Sequence, residues 1–172
     1  MKKDWEKALA SLSEKLGRSH DTEYQLELIV NEATRLVEAK AGYIRFLDGV
    51  PGAVNVATAS AAGYLSEVSR VNPTVRAQEG VTAAGHVMAT RQPLTLEDVT
   101  KSELILPETR VIAEKHGFHG MAALPVLSGE RPLGVLFVFD GDVRRFTGDE
   151  VSLLTAFAQQ ASEAVEKAQP PT

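Results

Sequence analysis

The sequence predicts an α+β fold, with a central antiparallel sheet of about five to six strands and helices on both faces. Three observations predict it. Apolar residues recur at helical spacing near both ends of the chain. The period switches from about 3.6 to about 2 at AGYIRFLDG. MAALPVL and LGVLFVFD are apolar on both faces, as strands in the middle of a covered sheet are. The element order reads helix, helix, two strands, helix, strand, helix, two strands, helix.

Trp5, Leu9, Leu12 and Leu16 fall on one narrow helical stripe that Gly17 ends, the width of a coiled-coil seam. After polar RSHD, Thr22 and Gln25 are spaced as a capping box for a second helix. Its Leu26, Ile29, Val30, Ala33, Leu36 and Val37 form a face broad enough to pack on a core. The first strand carries Tyr43, Ile44 and Phe46 into an Asp48-Gly49 turn. VNVATASAAGYL reads as a second strand running into a loop, weakened by its alanines. Gly80 to Thr90 reads as a small-residue helix, and Pro93 introduces a short extended piece, Leu94 to Leu96. Pro107 to His116 reads as a helix with Pro at its start and Gly just past its end. SGERP joins the two strong strands as a hairpin. In the last helix Thr147 and Glu150 form a capping box with Phe146 and Val151 at staple positions. Val151, Leu154, Ala158, Ala161, Val165 and Ala168 make one seam along it, while Leu153, Phe157 and Ala164 make another.

Composition sets the boundaries of function. Apolar residues at 44% and charged residues at 24% are the usage of a globular chain of one domain. Lys plus Arg number 18 against 23 Asp plus Glu, a net charge of -5 with no basic concentration, so no nucleic-acid partner is expected. Zero cysteines exclude disulfides, thiolate metal sites, a cysteine nucleophile and a thioether-linked chromophore. The longest apolar run, Leu133 to Phe139, falls far short of the ~20 residues a membrane helix needs. The opening MKKDWEKALASLSEKL interleaves acids where a signal peptide would be apolar, so a cytoplasmic chain with no membrane partner is expected. No phosphate-binding, dinucleotide-binding, nucleophile-elbow or HExxH string occurs, and a non-catalytic role is expected.

Several local strings, in order, resemble the GAF domain family of small-molecule sensor modules. RRFTGDEVSLLTAFAQQASEAVE resembles that family's final helix, ALPVLSGERPLGVLFVF its central hairpin, and GHVMATRQPLTLEDV the helix-to-strand element bordering its ligand pocket. The resemblance covers roughly Glu23 to Glu166. It implies a GAF-like, PAS-related sheet and a sensor or regulatory role in signal transduction. The Asn-Lys, Phe and Asp-Glu signature of the cyclic-nucleotide branch is absent, with Lys115 and Phe118 lacking companions. The bilin-binding and free methionine sulfoxide reductase branches work through cysteines, which this chain lacks. No cofactor is identified, and the ligand is left blank.

Organisation follows from both readings: residues 1–20 as an N-terminal signalling or dimerisation helix, 21–168 as the sensor domain with its C-terminal helix, and 169–172 as a tail or linker start. Candidate ligand contacts around a pocket between the sheet and the 80–117 region are Arg45, His86, Arg91, Asp98 and His116. Arg45 would select a carboxylate or phosphate if it faces the cavity, though alternation alone does not say which face does. His86 would hydrogen-bond a ligand or serve as an axial ligand. His116 is weighed against a plain cation at its helix C-terminus. His116 and His119 lack a third ligand for zinc, Asp140 and Asp142 read as a turn, and Arg144-Arg145 as solvated charges. A parallel homodimer is expected through Trp5, Leu9, Leu12 and Leu16 with Leu154, Ala158, Ala161 and Val165. An output domain or kinase would receive the signal. The alternatives are an interaction module with no ligand, and a haem-binding gas or redox sensor. A cavity of a few hundred cubic ångströms, the size of ligand pockets, would separate the sensor from the interaction module.

Overall fold

The computed structural model describes residues 2–73, 75 and 81–168. Among these, the chain runs α1 (Lys2–Gly17), α2 (Thr22–Leu36), β1 (Ala41–Phe46), β2 (Val56–Ala57), α3 (Ala62–Val71), α4 (Ala83–Thr90) and β3 (Leu94–Leu96). A short 3-10 turn at Val99–Lys101 leads to α5 (Pro107–His116), β4 (Met121–Ser128), β5 (Arg131–Phe139) and α6 (Gly148–Ala168). The five strands form one sheet in the order β2-β1-β5-β4-β3, antiparallel throughout. No helix among the described residues is long and apolar enough to cross a membrane.

Strand alternation divides the interior into two cores. Ile44, Phe46, Ala122, Leu124, Leu136 and Val138 point to one face, where α2 lies over β1 and α6 over β4. Tyr43, Met121, Ala123, Val135, Phe137 and Phe139 point to the other, under α3, α4 and α5. A bulge interrupts the hairpin, since Val126 pairs with Gly134 while Leu127 pairs with Pro132. The extra residue, Leu133, thereby turns into the α2/α6 core. Gly134 lets β1 come close, because a Cβ there would meet the Phe46 Cα at 2.8 Å.

Three elements differ from the sequence expectation. The N-cap of α2 is Asp21, whose carboxylate accepts from the Tyr24 N–H at 3.2 Å, and not Thr22. Gln25 is buried and its Nε2 donates to the Leu16 and Ser19 carbonyls, so it closes the α1–α2 turn instead of a capping box. The second strand is only Val56–Ala57, and α3 follows it, burying Tyr64 and Val68 behind the buried N-cap Ala61. The helix expected from Gly80 begins at Ala83, capped by Thr82, with Gly80 outside the described residues. The proposed tail at 169–172 also lies outside them.

The seam residues of α6 are inside. Leu154, Ala158, Ala161 and Val165 are at most 1% exposed, and Leu153 and Phe157 are buried beside them. Both apolar surfaces of α6 pack within this chain, one on β4 and one on α2, so these residues are core and do not form an accessible dimer seam. Leu12 of α1 is buried in the same core, while Trp5, Leu9 and Leu16 pack at its edge half-exposed. Arg144, expected to be solvated, is tied down: it pairs with Asp140 at 3.2 Å and with Glu150, and donates to the Val37 carbonyl at 2.7 Å. Its guanidinium also lies 4.2 Å from the Phe146 ring centroid.

The capping box of α6 is present. Glu150 N–H donates to Thr147 Oγ1 at 3.1 Å, and Thr147 N–H donates to Glu150 Oε1 at 2.9 Å. Replacing Thr147 by Ala removes an acceptor from a helix N-terminus and is expected to lower unfolding stability by about 1 kcal/mol. Urea melts of variant and parent measure it, and coincident midpoints would show that the cap contributes nothing.

Candidate functional site

On the aromatic face of the sheet, β1 and β5 set Tyr43 beside Phe137, with ring centroids 4.7 Å apart. Tyr64 of α3 closes over them, 6.0 Å from Tyr43 and 5.2 Å from Phe139. Phe118, just past α5, stacks on Phe139 at 5.1 Å. Between this wall and the surrounding helices remains a cavity of about 40 Å³. Among the described residues it is bounded by the sheet, by α3 at Tyr64 and Val68, by the start of α4, and by the 104–109 segment entering α5. The lining is mostly hydrocarbon and aromatic, with Arg45, Asn72, Thr82 and Thr109 as its polar members outside the two tyrosines.

Arg45 is the one sequence-nominated contact that lines this space among the described residues. It shares a face with Tyr43, which settles the alternation: Tyr43 and Arg45 look into the cavity, Ile44 and Phe46 away. The Arg45 residue is 5% exposed, and its guanidinium donates to the Asn72 carbonyl at the end of α3. Burial pulls its pKa below the usual arginine value, opposed by Tyr43 and Asp48. Burial pushes the phenols of Tyr43 and Tyr64 upward, so both stay protonated at neutral pH.

The other four nominated residues sit outside the described lining. His86 lies on α4, and its Nδ1 is buried with no hydrogen-bond partner among the described residues. Arg91 is the left-handed C-cap of α4 at φ 58°, with its N–H on the Val87 carbonyl at 2.8 Å and its Nε on the Glu130 carbonyl at 2.5 Å. It thus ties α4 to the β4–β5 turn. Asp98 caps the 3-10 turn, accepting from Thr100 N–H at 3.0 Å and Thr100 Oγ1 at 2.6 Å, and meets His119 Nδ1 at 3.1 Å. His116 ends α5, where its Nε2 lies 3.2 Å from Glu67 Oε1 on α3. Lys115 shares that carboxylate at 2.9 Å, and the two hydrogen bonds hold Glu67 below the usual carboxylate range. These contacts hold the helices around the cavity.

Sequence reading missed Tyr64, Val68, Thr109 and Met121 as cavity residues. The signal for the first two was present, since Ala61, Tyr64 and Val68 repeat at spacings of three and four. No group of three potential metal ligands occurs among the described residues.

Comparison with known proteins places this geometry. The profile of the GAF domain matches residues 19–166. The GAF domain of a phosphoenolpyruvate-protein phosphotransferase from Coxiella burnetii superposes with a TM-score of 0.69 at 15% identity, covering 95% of this chain and 94% of that one. Free methionine-R-sulfoxide reductase from Neisseria meningitidis superposes with a TM-score of 0.64 at 12% identity, covering 95% and 89%. At such identities these likenesses show the fold. In sequence, the HTH-type transcriptional activator RamA of Corynebacterium glutamicum is 34% identical over 61 residues, 36% of this chain and 22% of that protein. The matched stretch therefore spans about a fifth of that relative's length.

The Asp98 contacts carry a pH dependence. Burial raises its pKa, but the hydrogen bonds from Thr100 and His119 outweigh it, and the carboxyl lies below its ordinary 3.8. A lowered folded pKa stabilises the fold above the unfolded value, and that contribution is lost as pH falls through the folded one. Asp98→Asn is therefore expected to destabilise the protein near neutral pH, with the difference from the parent narrowing in acid. Urea melts at about pH 7, 5 and 3 test this; a difference that stays constant across them would remove the electrostatic account.

Proposed function

Because the chain belongs to the GAF domain family, we propose that it is a non-catalytic sensor domain that binds a small molecule in the cavity between the sheet and α3–α5. The observation that carries this reading is a nearly buried guanidinium, Arg45, at the wall of an otherwise apolar and aromatic cavity. Apolar walls with a few polar groups aimed inward are what small-molecule sites present. The absence of cysteine supports the non-catalytic part, since no thiol chemistry is open to the chain. Binding would act only by favouring one arrangement of the surrounding helices over another, because equal affinity for both shifts nothing. An output domain or a kinase would receive that shift.

A small-fragment library followed by amide chemical shifts tests the reading. Hits are expected to move Tyr64, Val68, Thr109 and Phe137 first and residues of α6 afterwards. A library that moves none of these residues would leave the domain without a ligand site.

The second reading is an interaction module with no ligand, and the cavity volume of about 40 Å³ favours it, being well below a ligand pocket of roughly 300 Å³ or more. Both readings accommodate a parallel homodimer. With the α6 seam buried in the chain's own core, what stays open of the expected interface is the half-exposed part of Trp5, Leu9 and Leu16, which pack at the core's edge on α1. Sedimentation equilibrium over about a hundredfold concentration range is expected to show a dimer that Leu9→Glu weakens. A parent that stays monomeric throughout would remove the assembly proposal.

A further inference from the structure

Resting on the sensor reading, we infer that the ligand is a small monocarboxylic acid, its carboxylate held by Arg45 and the phenols of Tyr43 and Tyr64, its hydrocarbon part against Val68, Met121 and Phe137. Charge comes first. A buried guanidinium remains protonated and needs an anion or a full set of acceptors. Arg45 has the Asn72 carbonyl, and no carboxylate of a described residue forms an ion pair with it. Asp48, two residues past β1, acts on it only through space.

The phenols supply the second argument. Tyr43 and Tyr64 are 4% and 2% exposed, both line the cavity, and their rings are 6.0 Å apart. Both rings line the cavity, and a buried tyrosine hydroxyl ordinarily takes a partner. Burial holds both protonated, and Tyr43 lies close enough to Arg45 for the two to act on each other through space, with Tyr64 lining the same cavity. One fixed positive charge and neutral donors suit a carboxylate oxygen pair.

Charge balance and size narrow the class. A phosphate dianion would bring a second negative charge that nothing in the described lining offsets. An amino acid would bring an ammonium group with no described carboxylate in the lining to receive it. A volume of about 40 Å³ is on the order of one or two waters, so even a small acid has to part α3 from the sheet, and a larger one has to part them further. That parting is coupled to recognition, since the Arg45 bond to Asn72 fastens the end of α3 to β1.

The test uses the whole chain and amide chemical shifts during titration, with butyrate as the small acid and benzoate as the larger one. Butyramide, inorganic phosphate and 2-aminobutyrate serve as comparisons. Butyrate or benzoate is expected to move Tyr43, Tyr64 and Phe137 and to bind roughly tenfold tighter than the other three. Arg45→Gln is expected to lower that affinity roughly tenfold, and Tyr64→Phe several-fold with its ring packing intact. If Arg45→Gln fails to fold, Tyr64→Phe and the butyrate–butyramide pair decide the matter on folded protein. Butyramide binding as tightly as butyrate at the cavity residues would overturn the acid and leave the sensor reading standing, as would phosphate binding tighter. No shift at any cavity residue with any of the five probes would overturn the proposal, and the fragment library then decides the sensor reading separately.

Discussion

The fold hangs on one strand that must be buried on both faces. β5 pairs with β1 along Ala41–Phe46 and with β4 along Met121–Ser128, so every other strand reaches the sheet through it or its neighbours. Its alternate residues feed different interiors: Leu136 and Val138 the α2/α6 core, Val135, Phe137 and Phe139 the aromatic one. From Leu133 to Phe139 it carries no polar side chain, and it tolerates no slip of register, since a one-residue shift would exchange the two faces. Gly134 fixes the approach of β1, and the Leu133 bulge corrects the alternation where the hairpin leaves the sheet.

The two cores are built differently. On one side, long helices α2 and α6 lie directly on the strands and fill the space with Leu, Ile, Val and Phe157. On the other, three short helices arch over an aromatic wall, burying Tyr64, Val68, Val87, Met88 and Ala113 against it, and polar ties add to that packing. Those ties are Arg91 to the Glu130 carbonyl, Lys115 and His116 to Glu67, Asp98 to His119, and Arg45 to the Asn72 carbonyl. The cavity lies on that side.

The sheet was legible in the sequence because its central strands are continuous apolar runs, and α6 because its capping box and stripe agree. The second strand was read too long, and α3 behind it was missed. Ala59 to Ala62 carry little hydrophobic signal, and the helix announces itself only through Ala61, Tyr64 and Val68, whose partners lie on distant strands. Arg45 was found because a charge on an apolar strand stands out, but its facing depended on which core each parity met. His86, Arg91, Asp98 and His116 were nominated for their chemistry, and most of that chemistry is used to hold backbone and helix ends in place. The seam of α6 misled for a related reason: a helix with two apolar faces packs equally well on a second helix of its own chain, and α2 is that helix.

A small cavity and a charged wall are consistent with each other once the polar contacts are followed. The Asn72 carbonyl that Arg45 engages is also the C-cap of α3, so the bond that gives the guanidinium a partner also holds α3 down over the space. An anion that took the guanidinium would weaken that fastening and add volume where it is needed. The displacement would meet Tyr43 and Phe137 first, and Phe137 stands one residue from Leu136 and Val138 on the same strand. Those residues bear on the α2/α6 core from the opposite face, so a shift of β5 by a fraction of a side chain reaches the terminal helix through a single layer of packing. Close-packed interiors answer such shifts by moving between discrete arrangements. In this architecture the cavity and α6 therefore lie on the two faces of one sheet.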